Sequence, residues 1–327
     1  MKVRNTFIFI IGLQLNSLAQ DYHLSQPNSQ AMSISPAFTA QNNSLAIQGT
    51  YRQQWRTAGV PFQTQIIGFQ ARPLAARRQE GFLGVGLLVA RDIATQNIGT
   101  NSAQLHLAYH LPFERNHLFS AGLQFGFAQR NFEPAGQWGG QYDGLAFDAN
   151  ILPSITLQNR YSASYLEAGL GFAYAYQRGT AREKTLSHFQ IGIGAQHLNQ
   201  PRMQLLDANA RLRPRLALLL QAEWSLGSVR TALEPLFCYQ LQQPAQETLY
   251  GLALKHYLNG GPFSRIGNVQ TVGFGLYNRW QDAVIVQFKM QLKQVQFACS
   301  YDFTVSSFSK APQLQSAFEL QLGYLFD

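Results

Sequence analysis

Charge is what this sequence has least of: 13% of its residues are Asp, Glu, Lys or Arg, about half the share of an ordinary soluble domain. Cysteine is nearly absent, with two in 327 residues, so no disulfide framework can hold the chain together. Cys299 has the parity of Phe297 and Tyr301, and Cys238 that of Glu234 and Gln240. The two thiols should therefore face opposite sides of a sheet and stay unpaired. Long apolar runs are missing too. Past the first twenty residues no stretch approaches the ~18 uninterrupted apolar residues of a spanning helix, and a mean hydropathy of −0.14 argues against a helical membrane protein. Lys and Arg outnumber Asp and Glu by 25 to 17, yet no basic cluster is interleaved with aromatics. Nucleic acid is therefore not an expected partner.

What is present is alternation and aromatic mass, with 23 Phe and 14 Tyr. From Asp282 to Asp327 the period is two: Val284, Val286, Phe288, Met290 and Leu292 oppose Gln287, Lys289 and Gln291, which predicts a strand. After a short break at Lys293-Gln294 the pattern resumes through Val295, Phe297, Cys299, Tyr301 and Phe303. It ends with Phe318, Leu320, Leu322, Tyr324 and Phe326 against Glu319, Gln321 and Gly323. One greasy face and one wet face, ending on a strand with an aromatic next to the terminus, suggest a transmembrane antiparallel β-barrel. The final Asp327 meets the terminal pattern only in part.

The start, MKVRNTFIFIIGLQLNSLAQ, carries two cations, an apolar run from Phe7 to Leu15 and the small-residue signature Ser17-Leu18-Ala19. It reads as a signal peptide, 1–19, cleaved after Ala19. Its removal takes Lys2 and Arg4 from the net charge of +8, leaving about +6. Residues 20–43 hold no period and read as an extended, periplasmic lead-in. Residues 44–327 form the expected all-β, outer-membrane barrel. Alternating segments include Phe62–Ala71, Gly81–Ala90, Ser102–Leu111, Leu118–Arg130 and, beyond a long polar connection, Tyr165–Gln177. The total is fourteen, an even number as a closed single-chain barrel requires. With both termini periplasmic, the longest connection faces outward, and the shortest, Leu226-Gly227-Ser228 and Lys293-Gln294, face inward.

No stretch carries recognisable catalytic chemistry. Gly84-Val85-Gly86 and Gly192-Ile193-Gly194 lie inside strands with no helix after them, so they are not a dinucleotide fingerprint. The plain reading of such glycines is curvature, or room for bulky lumen or loop side chains. His106 and His110 share a face but stand ~13 Å apart along a strand, too far to share a metal. They read as lumen-lining residues. Asp143 and Asp148, near Gly144, read as a turn, because the regular ligand spacing of a Ca²⁺ loop is missing. No cofactor or metal site is expected, and no enzyme. Basic residues gather at inward turns: Arg72, Arg77 and Arg78, then Arg178, Arg182 and Lys184. They are either solvated turn tips or, for Arg77, Arg78, Arg182 and Lys184, a periplasmic docking surface.

A series of short motifs runs in order from Ser35-Pro36-Ala37-Phe38 through Tyr51-Arg52-Gln53-Gln54-Trp55, Tyr109-His110-Leu111-Pro112 and Gln141-Tyr142-Asp143-Gly144. It continues with His197-Leu198-Asn199-Gln200-Pro201, the join from Tyr277-Asn278-Arg279 to Asp282-Ala283-Val284-Ile285, and Ser300-Tyr301-Asp302-Phe303-Thr304. Together these resemble the PorP/SprF family of type IX secretion system membrane proteins. The chain departs from the family pattern at Ser35, where Asn is usual, at Tyr142, where Phe is, and in a longer stretch between Asp148 and Tyr165. The resemblance implies an outer-membrane barrel in type IX secretion and, in many members, gliding motility. Implied partners are a periplasmic ring lipoprotein or protein and a peptidoglycan-associated lipoprotein, or else a large secreted adhesin with a type IX C-terminal domain, in outer-membrane lipid. The motif positions Pro36, Tyr51, Trp55, Asp143, Asn199, Pro201, Asp282, Tyr301 and Asp302 carry the resemblance and read as structural. Trp55 and Tyr277 are expected in the interfacial girdle, with Arg279 and Asp302 as lumen charges. The alternative from composition alone is a porin or substrate-specific channel.

Overall fold

A computed structural model describes residues 21–55, 61–73, 81–95, 98–114, 116–132, 161–177, 186–203, 211–226, 230–259, 269–305 and 316–326. Fourteen strands form one closed antiparallel barrel. They are β1 (Leu45–Gln54), β2 (Phe62–Ala71), β3 (Phe82–Thr95), β4 (Ile98–Phe113), β5 (His117–Phe132), β6 (Tyr161–Gln177) and β7 (Leu186–Gln196). The second half comprises β8 (Arg215–Ser225), β9 (Thr231–Gln242), β10 (Ala245–Asn259), β11 (Gln270–Arg279), β12 (Ala283–Leu292), β13 (Val295–Thr304) and β14 (Ser316–Phe326). Each strand pairs with its neighbours in sequence, and β1 closes on β14 from Leu45↔Phe326 to Gln54↔Ala317. Closure leaves the wall without a free edge, as a spanning sheet must be.

Alternation works as expected. Leu123, Phe125 and Phe127 on β5 point outward and are exposed, while Ser120, Gln124 and the glycines between them point inward and are buried. The thiols are free, Cys238 buried and Cys299 on the outward parity of exposed Tyr301 and Phe303. β3 and β4 run past the stretch that alternation marks, pairing Arg91 with Asn101 and Asp92 with Thr100. There the strands outrun the apolar band, both faces are wet, and the period fades although the ladder continues.

Two rims follow from the strand directions. At the lower rim β1 begins and β14 ends; at the upper rim the odd strands finish. The expected sorting of short connections to one rim holds only in part. The two-residue links 96–97 and 243–244 lie at the upper rim, opposite Lys293-Gln294. The longest connections, 133–160 and 197–214, are also upper.

The lead-in corrects the sequence reading. It is not extended, but folds inside the barrel as a plug with two 3-10 turns, Pro27–Ser33 and Pro36–Phe38. The prolines that suggested an open chain each start a turn, where a missing N–H costs nothing. Ser35 accepts a hydrogen bond from Ala37 N at 3.3 Å and donates one to Ile193 O at 2.9 Å. Burial drives the packing: Ile34 and Phe38 lie on a lumen patch that includes Leu219, Leu236, Leu249 and Ile285, each such side chain contributing roughly 1.5–3 kcal/mol.

The wall is cut to receive this turn. Gly84, Ala108, Gly122, Gly171, Gly194 and Ala217 are successive ladder partners across β3–β8. They form a continuous belt of small residues that climbs from near the lower end of β3 to near the upper end of β8. A methyl group on Gly122 would stand 2.5 Å from Pro36 C and Ala37 N; on Gly171 or Gly194 it would collide with Ser35 or Ile34. Gly84, Gly122 and Gly194 therefore make room for main chain, while Gly86, Gly126, Gly192 and Gly275 make room for bulky lumen side chains, as the sequence reading expects.

Candidate functional site

The chemistry of the chain is concentrated where the plug meets the wall. Near the upper rim Ser25 sits among four inward side chains from β1, β11, β13 and β14. Its hydroxyl lies 2.7 Å from Asp302 Oδ2, 2.5 Å from Arg52 Nη1 and 2.9 Å from Arg279 Nη2. Its backbone N–H donates to Glu319 Oε2 at 2.7 Å, and that of Gln26 to Glu319 Oε1 at 3.0 Å. Arg52 Nη2 and Arg279 Nη1 both stand 3.1 Å from Asp302 Oδ2. Arg279 continues outward to Asp282 at 3.1 Å and Glu247 at 3.4 Å. Arg52, Asp302 and Glu319 are at most 3% exposed, so each charge depends on its partners for solvation. The result is a tight ionic brace between the plug and the arc of wall from β11 to β1.

A second knot holds the plug's leading end on the other side of the same rim. His197, just beyond β7, places Nε2 2.7 Å from Asp21 Oδ2 and Nδ1 2.9 Å from Glu167 Oε2. Arg215 stands 3.7 Å from Asp21, whose N–H donates to Gln242 at 2.9 Å. Burial alone would lower the His197 pKa, but Asp21 and Glu167 override it and raise it to about 9. For Asp21 burial acts upward, and His197 and Arg215 override it to bring the carboxyl down to about 2. Both groups are therefore charged near neutrality, an ion pair rather than an acid–base couple.

At the lower rim the plug is clasped again. Arg72 donates to Ala40 O at 2.8 Å and Gln41 O at 2.7 Å, and stacks over Phe82 at 4.3 Å. His110 engages Ser120 Oγ at 2.7 Å and Thr39 O at 2.8 Å. Among the described residues the plug makes no main-chain to main-chain bond with the wall until Ser44 O accepts from Arg72 N. It is held by side chains alone, and the ladder is complete without it. Beside it a polar recess of about 250 Å³ remains, edged by Asn28, Asn43, Gln48, Gln296 and Gln321.

Most motif positions find a physical role here. Asp302 anchors Ser25, Asp282 takes the outer bond of Arg279, and Pro36 rests on the glycine belt. Pro201 O accepts from Leu212 N at 3.0 Å. Asn199 donates to Leu166 O at 2.7 Å and accepts from Ala168 N at 3.1 Å, continuing the ladder of β6 where β7 has ended. Tyr51 and Tyr301 lie on outward parity, Tyr301 edge-on to Phe303 at 4.8 Å. Trp55 closes β1 edge-on to Phe62 at 4.8 Å. Tyr277 corrects the girdle assignment: it faces the lumen, 4% exposed, with its ring over Gly275. Its parity with Gly275 and Arg279 decides this. Asp143, Arg77, Arg78, Arg182 and Lys184 lie outside the described residues. The residues that sequence reasoning passed over are Ser25, Arg52, Glu319, Asp21 and His197. Arg52 and Glu319 had a usable signal, as charges on the inward parity of apolar strands.

Among curated proteins the sequence has no match. Similar solved structures include the Ralstonia pickettii toluene transporter TbuX, 8% identical over 91% of this chain and 94% of that one, with a TM-score of 0.48. Another is the Pseudomonas putida toluene transporter TodX, 9% identical over 93% of each chain, TM-score 0.49. A third is the translocator domain of the autotransporter NalP from Neisseria meningitidis, 11% identical over 92% of this chain and 96% of that one, TM-score 0.37. The family model described as "Type IX secretion system membrane protein PorP/SprF" matches residues 16–324.

Proposed function

The chain belongs to the PorP/SprF family of type IX secretion system membrane proteins, and from that membership we propose that it is an outer-membrane barrel serving type IX secretion as an anchor, not as a pore. In this reading it supports the export or surface attachment of secreted proteins or adhesins and has no catalytic activity. The carrying observation is the occupied lumen: Ser25, Arg52, Arg279, Asp302 and Glu319 brace it near the upper rim, and the plug rests on the glycine belt. A wall built to hold its own N-terminal segment serves protein contacts at its rims better than solute flux.

Two measurements test this together. Deletion of the chain in its own cells should reduce the surface level of at least one type IX cargo; unchanged export and retention of all cargo would remove the secretion reading. Purified protein in a planar bilayer should show no stable conductance, whereas a steady channel of porin size would favour solute transport instead.

A further inference from the structure

The plug runs lengthwise through the barrel. Asp21 is held at the upper rim by His197, just past the end of β7, and by Gln242 at the end of β9. Ser25 follows at the upper ends of β13 and β1, on Asp302 and Arg52. Met32 and Ile34 come next along the plug, packed against Gly86 and Gly194. Gln41 reaches Ser120 at the lower start of β5, and Ser44 O meets Arg72 N just below β2. The chain thus descends the whole lumen before β1 begins. Its amino-terminal end lies at the rim opposite the one where the wall starts.

The two longest connections belong to that upper rim, and in barrels of this kind the longer loops are extracellular and the short turns periplasmic. We infer that the amino-terminal end of the plug is displayed on the cell surface, the exported chain being threaded outward through its own lumen. The surface mouth, a space of about 220 Å³, is then built partly from plug residues, Tyr22 and His23, and partly from Trp280 and Asp282 after β11. The inference rests on strand direction and contacts and does not depend on the secretion reading.

Single cysteines and a membrane-impermeant maleimide test it on intact cells carrying the full chain. His23→Cys reports the leading end, Asp282→Cys the upper rim and Lys293→Cys the lower rim. The parent chain, with Cys238 buried and Cys299 on the membrane side, sets the background. His23→Cys and Asp282→Cys are expected to label on intact cells, and Lys293→Cys only after the outer membrane is permeabilised. Labelling of His23→Cys together with Lys293→Cys, or only after denaturation, overturns the threading. If Asp282→Cys and Lys293→Cys exchange behaviour, threading stands but surface display falls. Should His23→Cys fail to assemble, an epitope placed directly ahead of Asp21 and read by antibody on intact cells decides the same question.

Discussion

Replacing Gly122 with Val tests how closely the plug is fitted to the wall. The first added carbon would stand 2.5 Å from Pro36 C and Ala37 N and 2.7 Å from Pro36 O, about 1 Å inside ordinary contact. Neither side can yield cheaply: Gly122 is fixed by pairing with Ala108 and Gly171, and Pro36 is wedged between Gly122 and Gly171. The turn Pro36–Phe38 must therefore lift toward the lumen axis, withdrawing Phe38 from Gly192. Overpacking of this kind costs about 1–3 kcal/mol, which raises the population of the displaced plug roughly 5- to 150-fold. Since the ladder is untouched, the folded barrel should keep its heat-modifiable gel mobility. Limited proteolysis between Asp21 and Ser44 should accelerate, and brief conductance openings should appear in bilayers. Gly273→Ala is the control, an inward glycine whose nearest atom to the new methyl is Leu254 O at 3.2 Å. If Gly122→Val and Gly273→Ala leave the plug equally protected, the fit between belt and turn has no energetic weight and the reasoning fails.

Arg52→Gln should destabilise the barrel by about 3–5 kcal/mol, because Asp302 and Glu319 are left buried with one guanidinium fewer; a denaturant midpoint equal to the parent's would contradict this. The upper knot should loosen on the alkaline side. The His197 pKa is raised above its ordinary value, so its contribution is complete below about 6.5 and is lost as pH climbs through about 9. Asp21, lowered, contributes above about 4 and fails only as pH falls through about 2. Fluorescence of Trp280 at the mouth should report the alkaline transition, and His197→Gln should abolish it; an unaltered transition would exclude His197 as its source. Arg72→Ala removes two charge-assisted bonds to the plug's last carbonyls, each worth about 1.5–3 kcal/mol, so amide exchange at Gln41 and Ser44 should quicken while that of β8 and β9 does not.

The wall was legible in the sequence because its cause is local: residues two apart share a face, and lipid demands that one face be apolar. Strand number followed, and errors arose where that demand lapses, as at Arg91–Asn101 above the apolar band. The lumen was less legible because its contacts join residues far apart in the chain, Ser25 with Asp302 or Ser35 with Ile193. Serine and glutamine in the lead-in look like solvated loop until their partners are known. The motif Tyr51-Arg52-Gln53-Gln54-Trp55 shows the limit well. Its aromatics drew notice, while the functional weight lies on the charge between them.

The belt of small residues also bears on how the barrel assembles. A sheet in lipid can slip by two residues and still present an apolar exterior, so the membrane alone does not fix register. The turn Ser35–Phe38 does. Slipping β5 by two residues would carry Ser120 or Gln124 to the level of Gly122 and drive a side chain into Pro36; slipping β7 is opposed in one direction, where Gln196 would replace Gly194. The segment made first thus serves as a gauge against which later strands are measured, and a correctly closed wall is one that fits around it.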